Sequence, residues 1–185
     1  LMLFLKVKSL AYGHSGVAQV TVDNLIELFN NDALPIIYQL GSLGASGDLA
    51  PLSHMSLPLL GLGSVRVNGE EKSGAQILSE LNLQALKLQS KEGLALINGT
   101  QFMSAYAVYL LFEFERLINL SDLIASLSME AFDCRIEPFD PLVHQIRAHA
   151  GQMHTADAIR QIREGSEILA KEKEQVQDPY SFRCI

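Results

Sequence analysis

Gly93-Leu-Ala-Leu-Ile-Asn-Gly-Thr-Gln-Phe-Met-Ser-Ala-Tyr-Ala-Val-Tyr-Leu-Leu-Phe112 is a stretch without a single charged residue. Its length is that of a membrane-spanning helix, which needs about 20 predominantly apolar residues. However, a polar break at residues 98–101 interrupts it, and Glu113 follows it directly. We therefore predict the long central helix of a water-soluble bundle, from about Thr100 towards Phe132, with no membrane contact. Because its first half is apolar on nearly all sides, other helices should surround it.

The bulk composition is that of a globular protein. The chain has 185 residues, of which 48% are hydrophobic and 19% are charged, and this length fits one domain. The net charge of -7, with no basic cluster, argues against a nucleic-acid partner. Cys134 and Cys184 lie far apart, so we expect free thiols in a reducing compartment and a cytoplasmic protein.

Short-range signals predict an all-α fold, an elongated helical bundle with one small β-hairpin. Asn68-Gly69 is a strong hairpin signal between predicted strands 64–67 and 70–72. Ser73 and Gln76 form a capping box for the next helix. Further helices are predicted over residues 1–10, from Thr21 to about Asn30, from Asp48 to Gly61 or Gly63 with a kink or early end at Pro58, from Pro141 behind an Asp140 cap, and over 152–164.

A second unusual stretch is Gly41-Ser-Leu-Gly-Ala-Ser-Gly-Asp-Leu-Ala-Pro-Leu-Ser-His-Met55. Asp48 can cap the first turn of a helix, and proline at position 51 is tolerated in that turn. A glycine-rich loop at a helix N-terminus can stabilise negative charge. It can also be a plain tight turn into a core helix, which is the commoner arrangement.

Three segments of the chain resemble the aromatic amino acid ammonia-lyases, and within that family most closely the histidine ammonia-lyases. They are Ala45-Ser46-Gly47 inside the stretch 41–55, Leu-Ala-Leu-Ile-Asn-Gly-Thr-Gln inside 91–101, and Gln-Asp-Pro-Tyr-Ser-Phe-Arg-Cys at 177–184. The resemblance extends over nearly the whole chain. Leu43 and Phe182 depart mildly from the residues commoner in the family.

The resemblance implies a prosthetic group made from the chain itself. Ala45, Ser46 and Gly47 are expected to cyclise with the loss of two water molecules and form 4-methylidene-imidazole-5-one (MIO). The residue types suit this chemistry. Glycine leaves its amide nitrogen unshielded for a close approach, the serine hydroxyl can leave as water, and alanine is small enough for the tight ring.

The resemblance also implies roles for four further residues. Asn98 would contact the prosthetic ring and the substrate side of the pocket, Tyr180 would assist the chemistry, and Gln177 would form hydrogen bonds around it. Arg183 would hold the substrate carboxylate, which a planar guanidinium can bind with two hydrogen bonds. Taken singly, each residue would favour a structural role: a hydrogen bond at a helix break for Asn98, packing for Tyr180 and a surface ion pair for Arg183. The occurrence of all three motifs in the family's order favours the functional roles.

The histidines receive structural interpretations. His14 is predicted in a surface turn, and His54 as a hydrogen-bonded residue of an apolar helix. His144, His149 and His154 are spaced by five, which places successive side chains on different faces of a helix, so we predict no metal site.

The activity implied by the resemblance is the non-oxidative deamination of L-histidine to trans-urocanate and ammonia. Two alternatives remain: a phenylalanine or tyrosine ammonia-lyase or aminomutase, and a non-catalytic helical assembly protein. Family chains are longer, with a base tyrosine and a substrate-selecting histidine upstream, and form tetramers whose subunits share active sites. We therefore expect residues 1–185 to be a single fragment of the helical core, from the N-terminal half of a homotetrameric enzyme and inactive alone.

Overall fold

The computed structural model describes residues 1–42 and 49–185. They form two compact units, Leu1–Leu110 and Leu111–Ile185, and the division falls within the longest helix. The first unit contains α1 (Met2–Ala11), α2 (Gln19–Asn30), β1 (Leu34–Pro35), α3 (Leu49–Ser56), β2 (Ser64–Val67), β3 (Glu70–Ser73), α4 (Gly74–Glu80), α5 (Glu92–Ile97) and the start of α6 (Gln101–Ala131). The second contains the rest of α6, α7 (Pro141–Gln145), α8 (Ala150–Ile162) and α9 (Tyr180–Arg183).

The all-α class and the long helix predicted from the sequence are confirmed. Helix α6 spans Gln101–Ala131, within one residue of both predicted ends. The capping box is also confirmed, because the Ser73 side chain accepts from the Gln76 backbone while Gln76 binds back to Ser73. Local signals of this kind act over a few residues, so the chain obeys them wherever the core permits.

The predicted hairpin is present, with a third strand added to it. Strands β2 and β3 pair antiparallel with Val67 opposite Glu70, and Asn68 and Gly69 take the positive φ angles (51° and 87°) that this tight turn requires. Strand β1, which is not predicted from the sequence, pairs antiparallel with β2.

The helix expected after Asp48 ends early at proline, as predicted. Helix α3 stops at Ser56 and continues as a 3₁₀ turn, Leu57–Leu60, in which Pro58 occupies the first turn. Gly61 then closes the turn at φ 76°, a left-handed conformation that glycine adopts without strain.

Each unit has its own core. The first core collects buried side chains from α1 to α5, including Leu25, Leu52, Leu59 and Leu96, all at most 1% exposed. The second core is smaller, with Met129, Cys134, Phe139, Ala156 and Ile159.

Much of α6 carries apolar side chains on its exposed surface. Leu111, Phe112, Phe114 and Leu127 are 65–70% exposed. The described residues of this chain therefore leave this part of α6 uncovered. None of the helices among the described residues has the length and hydropathy needed to cross a membrane.

Helices α7 and α8 follow the predicted pattern, although with less burial. The Asp140 side chain caps α7 by accepting from the Leu142 backbone N–H at 2.8 Å, and proline occupies the next position. In α8, Ala156 and Ile159 are buried, but Ile162, three positions further along the helix, is 44% exposed.

Candidate active site

The first predicted site element, Ala45-Ser46-Gly47, lies outside the described residues, and so does the Asp48 cap. The residues on either side of this segment are described. A β-carbon at Gly41, whose φ is +109°, would lie 3.4 Å from Cβ of Ala50. The described residues on the two sides of the tripeptide therefore lie close together, and α3 (Leu49–Ser56) follows two positions after Gly47.

Asn98 lies at the end of α5, in what we call the asparagine segment (residues 91–101). Helix α5 packs directly against α3, and its Leu96 is 1% exposed in the first core. The structure thus joins two of the predicted motifs, because the helix that ends at Asn98 contacts the helix that follows Ala45-Ser46-Gly47.

At the end of α5, the backbone of Asn98 makes structural hydrogen bonds, whereas its side chain makes none with the described residues. The residue caps α5 in an extended conformation (φ -101°, ψ 133°), and its backbone N–H donates to the Leu94 carbonyl at 2.9 Å. Its side chain is exposed, with no hydrogen-bond partner among the described residues. An exposed carboxamide on an anchored backbone is available to a ligand.

Buried charges hold both ends of α5. Lys6 of α1 is 1% exposed, and its Nζ donates to the Ala95 carbonyl at 3.0 Å and to the Asn98 carbonyl at 2.9 Å. Burial lowers the pKa of Lys6 to about 8. At the other end, the Glu92 carboxylate is 2% exposed.

Glu92 accepts three hydrogen bonds. They come from the Gln89 backbone N–H at 2.7 Å, the Ala18 backbone N–H at 2.8 Å and the Thr21 hydroxyl at 2.9 Å. The bonds from Gln89 and Ala18 hold the pKa of Glu92 below its usual value, even though burial acts in the opposite direction.

The other predicted site residues belong to what we call the arginine segment (residues 177–184), in the second unit. Gln177 is exposed, and Tyr180 is 71% exposed on the short helix α9. Arg183 lies one turn further, with its guanidinium carbon 4.0 Å from the centre of the Tyr180 ring. The structure therefore brings Tyr180 and Arg183 together as a cation–π pair.

Arg183 is half-buried, and its Nε is fully buried without a hydrogen-bond partner among the described residues. The surface ion pair considered from the sequence is not formed with any of them. A buried donor without a partner costs about 1–3 kcal/mol, so a carboxylate that reached it would relieve a penalty already present.

Asp178 and Phe182 anchor the arginine segment. The Asp178 carboxylate, 4% exposed, accepts from the Arg135 backbone N–H at 2.8 Å and from Gln175 Nε2 at 3.2 Å. The Phe182 ring stacks on Phe132 with 4.6 Å between centroids and packs against the second core.

Sequence reasoning missed Lys6, Glu92 and Asp178, although Lys6 carried a signal. Leu3, Lys6 and Leu10 are spaced by three and four, which places the lysine on the buried stripe of α1. A charged residue on such a stripe indicates a specific partner. Glu92 and Asp178 resemble ordinary helix-start and loop carboxylates, and only their long-range hydrogen bonds distinguish them.

The histidines have structural surroundings. His14 is exposed in the turn after α1, as predicted. His54 packs edge-on against Tyr38 with 5.1 Å between ring centres, and its buried Nδ1 lacks a partner among the described residues. The hydrogen bond expected for His54 is therefore not found there. His144 contacts the Pro138 carbonyl and the Gln152 side chain.

The family model and the curated relatives that match this chain both align with it along its whole length. All 185 residues match the family model for aromatic amino acid lyases. The histidine ammonia-lyases of Burkholderia mallei and Burkholderia multivorans are 47% identical over 186 residues, which cover 100% of this chain and 37% of each relative. The chain thus spans just over a third of the length of these curated relatives.

Solved structures of several activities share the fold. An ergothionase from Treponema denticola aligns with a TM-score of 0.92 at 28% identity, over 99% of this chain and 37% of that one. The Pantoea agglomerans phenylalanine aminomutase aligns with a TM-score of 0.86 at 33% identity, over 99% of this chain and 39% of the aminomutase. The histidine ammonia-lyase of Trypanosoma cruzi aligns with a TM-score of 0.80 at 34% identity, over 99% of this chain and 34% of that enzyme. With its family model matched from end to end, the chain belongs to the aromatic amino acid lyase family.

Proposed function

We propose that the complete protein is a histidine ammonia-lyase, which converts L-histidine into trans-urocanate and ammonia without an oxidant. The observation that carries this proposal is the 47% identity to histidine ammonia-lyases along the whole chain. Among the solved structures, the Trypanosoma cruzi histidine ammonia-lyase is 34% identical and the Pantoea aminomutase 33%. The amine of histidine is a poor leaving group and its β-proton is weakly acidic, so the reaction needs an electrophile and a general base.

We assign Ala45, Ser46 and Gly47 as the source of an MIO group, which would supply the electrophile that captures the substrate. Several features fit such a group. The chain flanking the tripeptide is closely apposed at Gly41 and Ala50. In the same unit, two buried polar atoms, Nδ1 of His54 on α3 and Oε1 of Gln101, lack partners among the described residues. Asn98 would hold the group through its exposed carboxamide.

Arg183 would bind the substrate carboxylate. Its guanidinium is restrained over the Tyr180 ring, and its Nε, which has no partner among the described residues, offers a charge-assisted hydrogen bond. A pre-oriented guanidinium loses little side-chain freedom on binding. Tyr180 would both restrain Arg183 and assist the chemistry with its phenol, while Gln177 would form hydrogen bonds around the substrate.

We further propose a homotetramer in the cytoplasm. The exposed apolar side chains of α6, such as Phe112 and Leu127, favour burial against further helices. The two cysteines are free, with Cys134 buried and Cys184 exposed, which favours a reducing compartment. Light scattering of the complete protein would measure the oligomer, and a monomer would contradict the proposal.

The test of the reaction uses the full-length protein and three substrates, L-histidine, L-phenylalanine and L-tyrosine. We expect urocanate from histidine, and a mass two water molecules below the sequence value, localised to residues 45–47. Ser46→Ala should abolish both the mass loss and the activity. Ser79→Ala, at an exposed serine of α4, is the matched control and should change neither.

The outcomes separate the alternatives. Cinnamate, coumarate or a β-amino acid as the main product would instead assign an ammonia-lyase or aminomutase for phenylalanine or tyrosine, which the fold shared with the Pantoea aminomutase makes the second candidate. An unmodified mass without any product would favour a non-catalytic helical assembly. Residues 1–185 expressed alone should not produce urocanate.

A further inference from the structure

Asn98 has an exposed side chain, but its helix is held at both ends by charged groups that are almost completely buried. We infer that Lys6 and Glu92 are positioning residues, which fix the backbone of α5 so that the Asn98 carboxamide is presented in one place for the reaction. This inference rests on the proposed function, because it assigns to Asn98 a contact within the active site.

Lys6 acts at the C-terminal end of α5. The last four carbonyls of a helix have no partner inside it. The Lys6 ammonium binds two of these groups, at Ala95 and at Asn98 itself, although it lies about 90 positions earlier in the chain. A positive charge at a helix C-terminus also interacts favourably with the helix dipole. One of the two contacts is therefore made to the backbone of the site residue.

Stability alone does not explain a lysine at this position. Burying an ammonium group is costly, and an apolar side chain of similar length would fill the same space without that cost. The lowered pKa of Lys6, about 8, reflects the same cost. The Lys6 ammonium donates a directional hydrogen bond that fixes the distance between α1 and the Asn98 carbonyl, and a methionine at this position could not donate one.

Glu92 acts at the N-terminal end. Its carboxylate joins the start of α5 to the Ala18 backbone and the Thr21 hydroxyl, both at α2, and to the preceding loop at Gln89. Helix α5 has only six residues, so neither end lies far from Asn98. With both ends tied to other elements, the helix can neither slide nor rotate without breaking charge-assisted hydrogen bonds.

The test substitutes Lys6 in the full-length protein. Lys6→Met removes the donors while keeping the length of the side chain, and Lys8→Met makes the same change at an exposed position of the same helix. We expect Lys6→Met to lower kcat/KM for histidine about tenfold or more, since small displacements of a positioned group can cost this much. Lys8→Met should leave kcat/KM unchanged, and the two-water mass loss should persist in both variants.

A double-mutant cycle distinguishes positioning from general support of the fold. If Lys6 acts through Asn98, then Lys6→Met should cost far less in an Asn98→Ala background than in the wild type. Lys6→Arg, which keeps charge and donors, should recover part of the lost kcat/KM. If Lys6→Met lowers kcat/KM by the same factor in the wild type and in Asn98→Ala, the two residues act independently and the inference is overturned. An unchanged kcat/KM in Lys6→Met would also overturn it.

Two further outcomes are decisive. Loss of the two-water mass change in folded Lys6→Met would assign Lys6 to maturation of the tripeptide, and would also overturn the inference. If Lys6→Met does not fold, Lys6→Arg replaces it in the cycle. Positioning through Asn98 then predicts that Lys6→Arg costs less kcat/KM in the Asn98→Ala background than in the wild type, and an equal cost overturns the inference. A wild-type protein without lyase activity or mass loss would instead refute the proposed function, so the two failures are distinguishable.

Discussion

The asparagine segment and the arginine segment present their proposed site residues in the same way but are anchored differently. In the asparagine segment, the exposed Asn98 ends a helix that the buried Lys6 and Glu92 contact. In the arginine segment, the exposed Tyr180 lies two positions after the buried Asp178. The asparagine segment is held by charges of opposite sign at its two ends. The arginine segment is held by one carboxylate and by the stacking of Phe182 on Phe132.

This difference has consequences for rigidity and for pH dependence. Charge-assisted hydrogen bonds of 2.7–3.0 Å are directional, so they fix α5 in one orientation. Ring stacking is less directional and permits small rotations, and α9 has no side-chain cap. We therefore expect the asparagine segment to be the more rigid of the two and the more sensitive to loss of a single polar group.

The largest effect should come from Glu92→Gln. The amide keeps the shape of the carboxylate, but it places an NH₂ group where the carboxylate accepts hydrogen bonds from Gln89, Ala18 or Thr21. We expect a loss of about 3 kcal/mol in the free energy of local opening of α5, because a charged acceptor is removed and a buried donor is left unpaired. Hydrogen exchange of the Ala18 and Gln89 amides measures it directly.

Glu70→Gln, at an exposed position of the hairpin, is the control for this substitution and should leave the exchange of the Ala18 and Gln89 amides unchanged. If Glu92→Gln also leaves their exchange unchanged, the carboxylate does not anchor the segment.

The second effect is that of Asp178→Asn. Among the described residues, Asp178 accepts two hydrogen bonds, one of them long at 3.2 Å, and an asparagine oxygen can still face the Arg135 N–H. We expect a smaller loss, about 1–2 kcal/mol, in the opening free energy reported by exchange of the Arg135 amide. Phe182 should keep the segment docked on the second core.

Asp23→Asn, on an exposed position of α2, controls for the change of charge. A loss in Asp178→Asn as large as that in Glu92→Gln would contradict the difference in anchoring, because it would make the single carboxylate of the arginine segment equally important.

Most of the fold could be predicted because its signals are local. The Asn68-Gly69 turn, the Ser73–Gln76 capping box and the early end before Pro58 each depend on residues a few positions apart. Strand β1 could not be predicted, because its pairing of Leu34 with Arg66 depends on a contact across more than thirty residues. What covers the apolar residues of α6 could not be predicted, since sequence shows hydrophobicity but not which molecule lies against it.

The candidate site was predictable only in part. The residues named from the resemblance include exposed ones such as Asn98, and their motifs are recognisable without a structure. The residues that hold them are harder to recognise. The position of Lys6 on the buried stripe of α1 indicates a partner, but only the fold shows that this partner is the pair of carbonyls at Ala95 and Asn98.

The smallest effect, and the one that most sharply divides the two regions, is their response to alkaline pH. Burial lowers the pKa of Lys6 from 10.5 to about 8, so between these values the unfolded chain binds more protons than the folded one, and stability rises with pH. In the second unit, burial and then the charge of Asp178 raise the pKa of Cys134 from 9.0 to about 11. Its contribution to stability is complete below pH 9.0 and is lost as pH rises towards 11.

Between pH 9 and pH 10 the two regions should therefore respond in opposite directions. The opening free energy of α5 should rise, while that of the loop around Cys134 should fall, each by less than the losses expected from the two substitutions. Native-state hydrogen exchange, corrected for the intrinsic pH dependence of exchange, resolves both in one sample. Lys6→Met should flatten the pH dependence of the opening free energy of α5, and Cys134→Ala should flatten that of the loop around Cys134. Each variant is compared with the wild type, so the contribution of the other titrating groups cancels. Parallel slopes in the wild type would mean that Lys6 is not desolvated at the end of α5, and the polar anchoring of the asparagine segment would lose its physical basis.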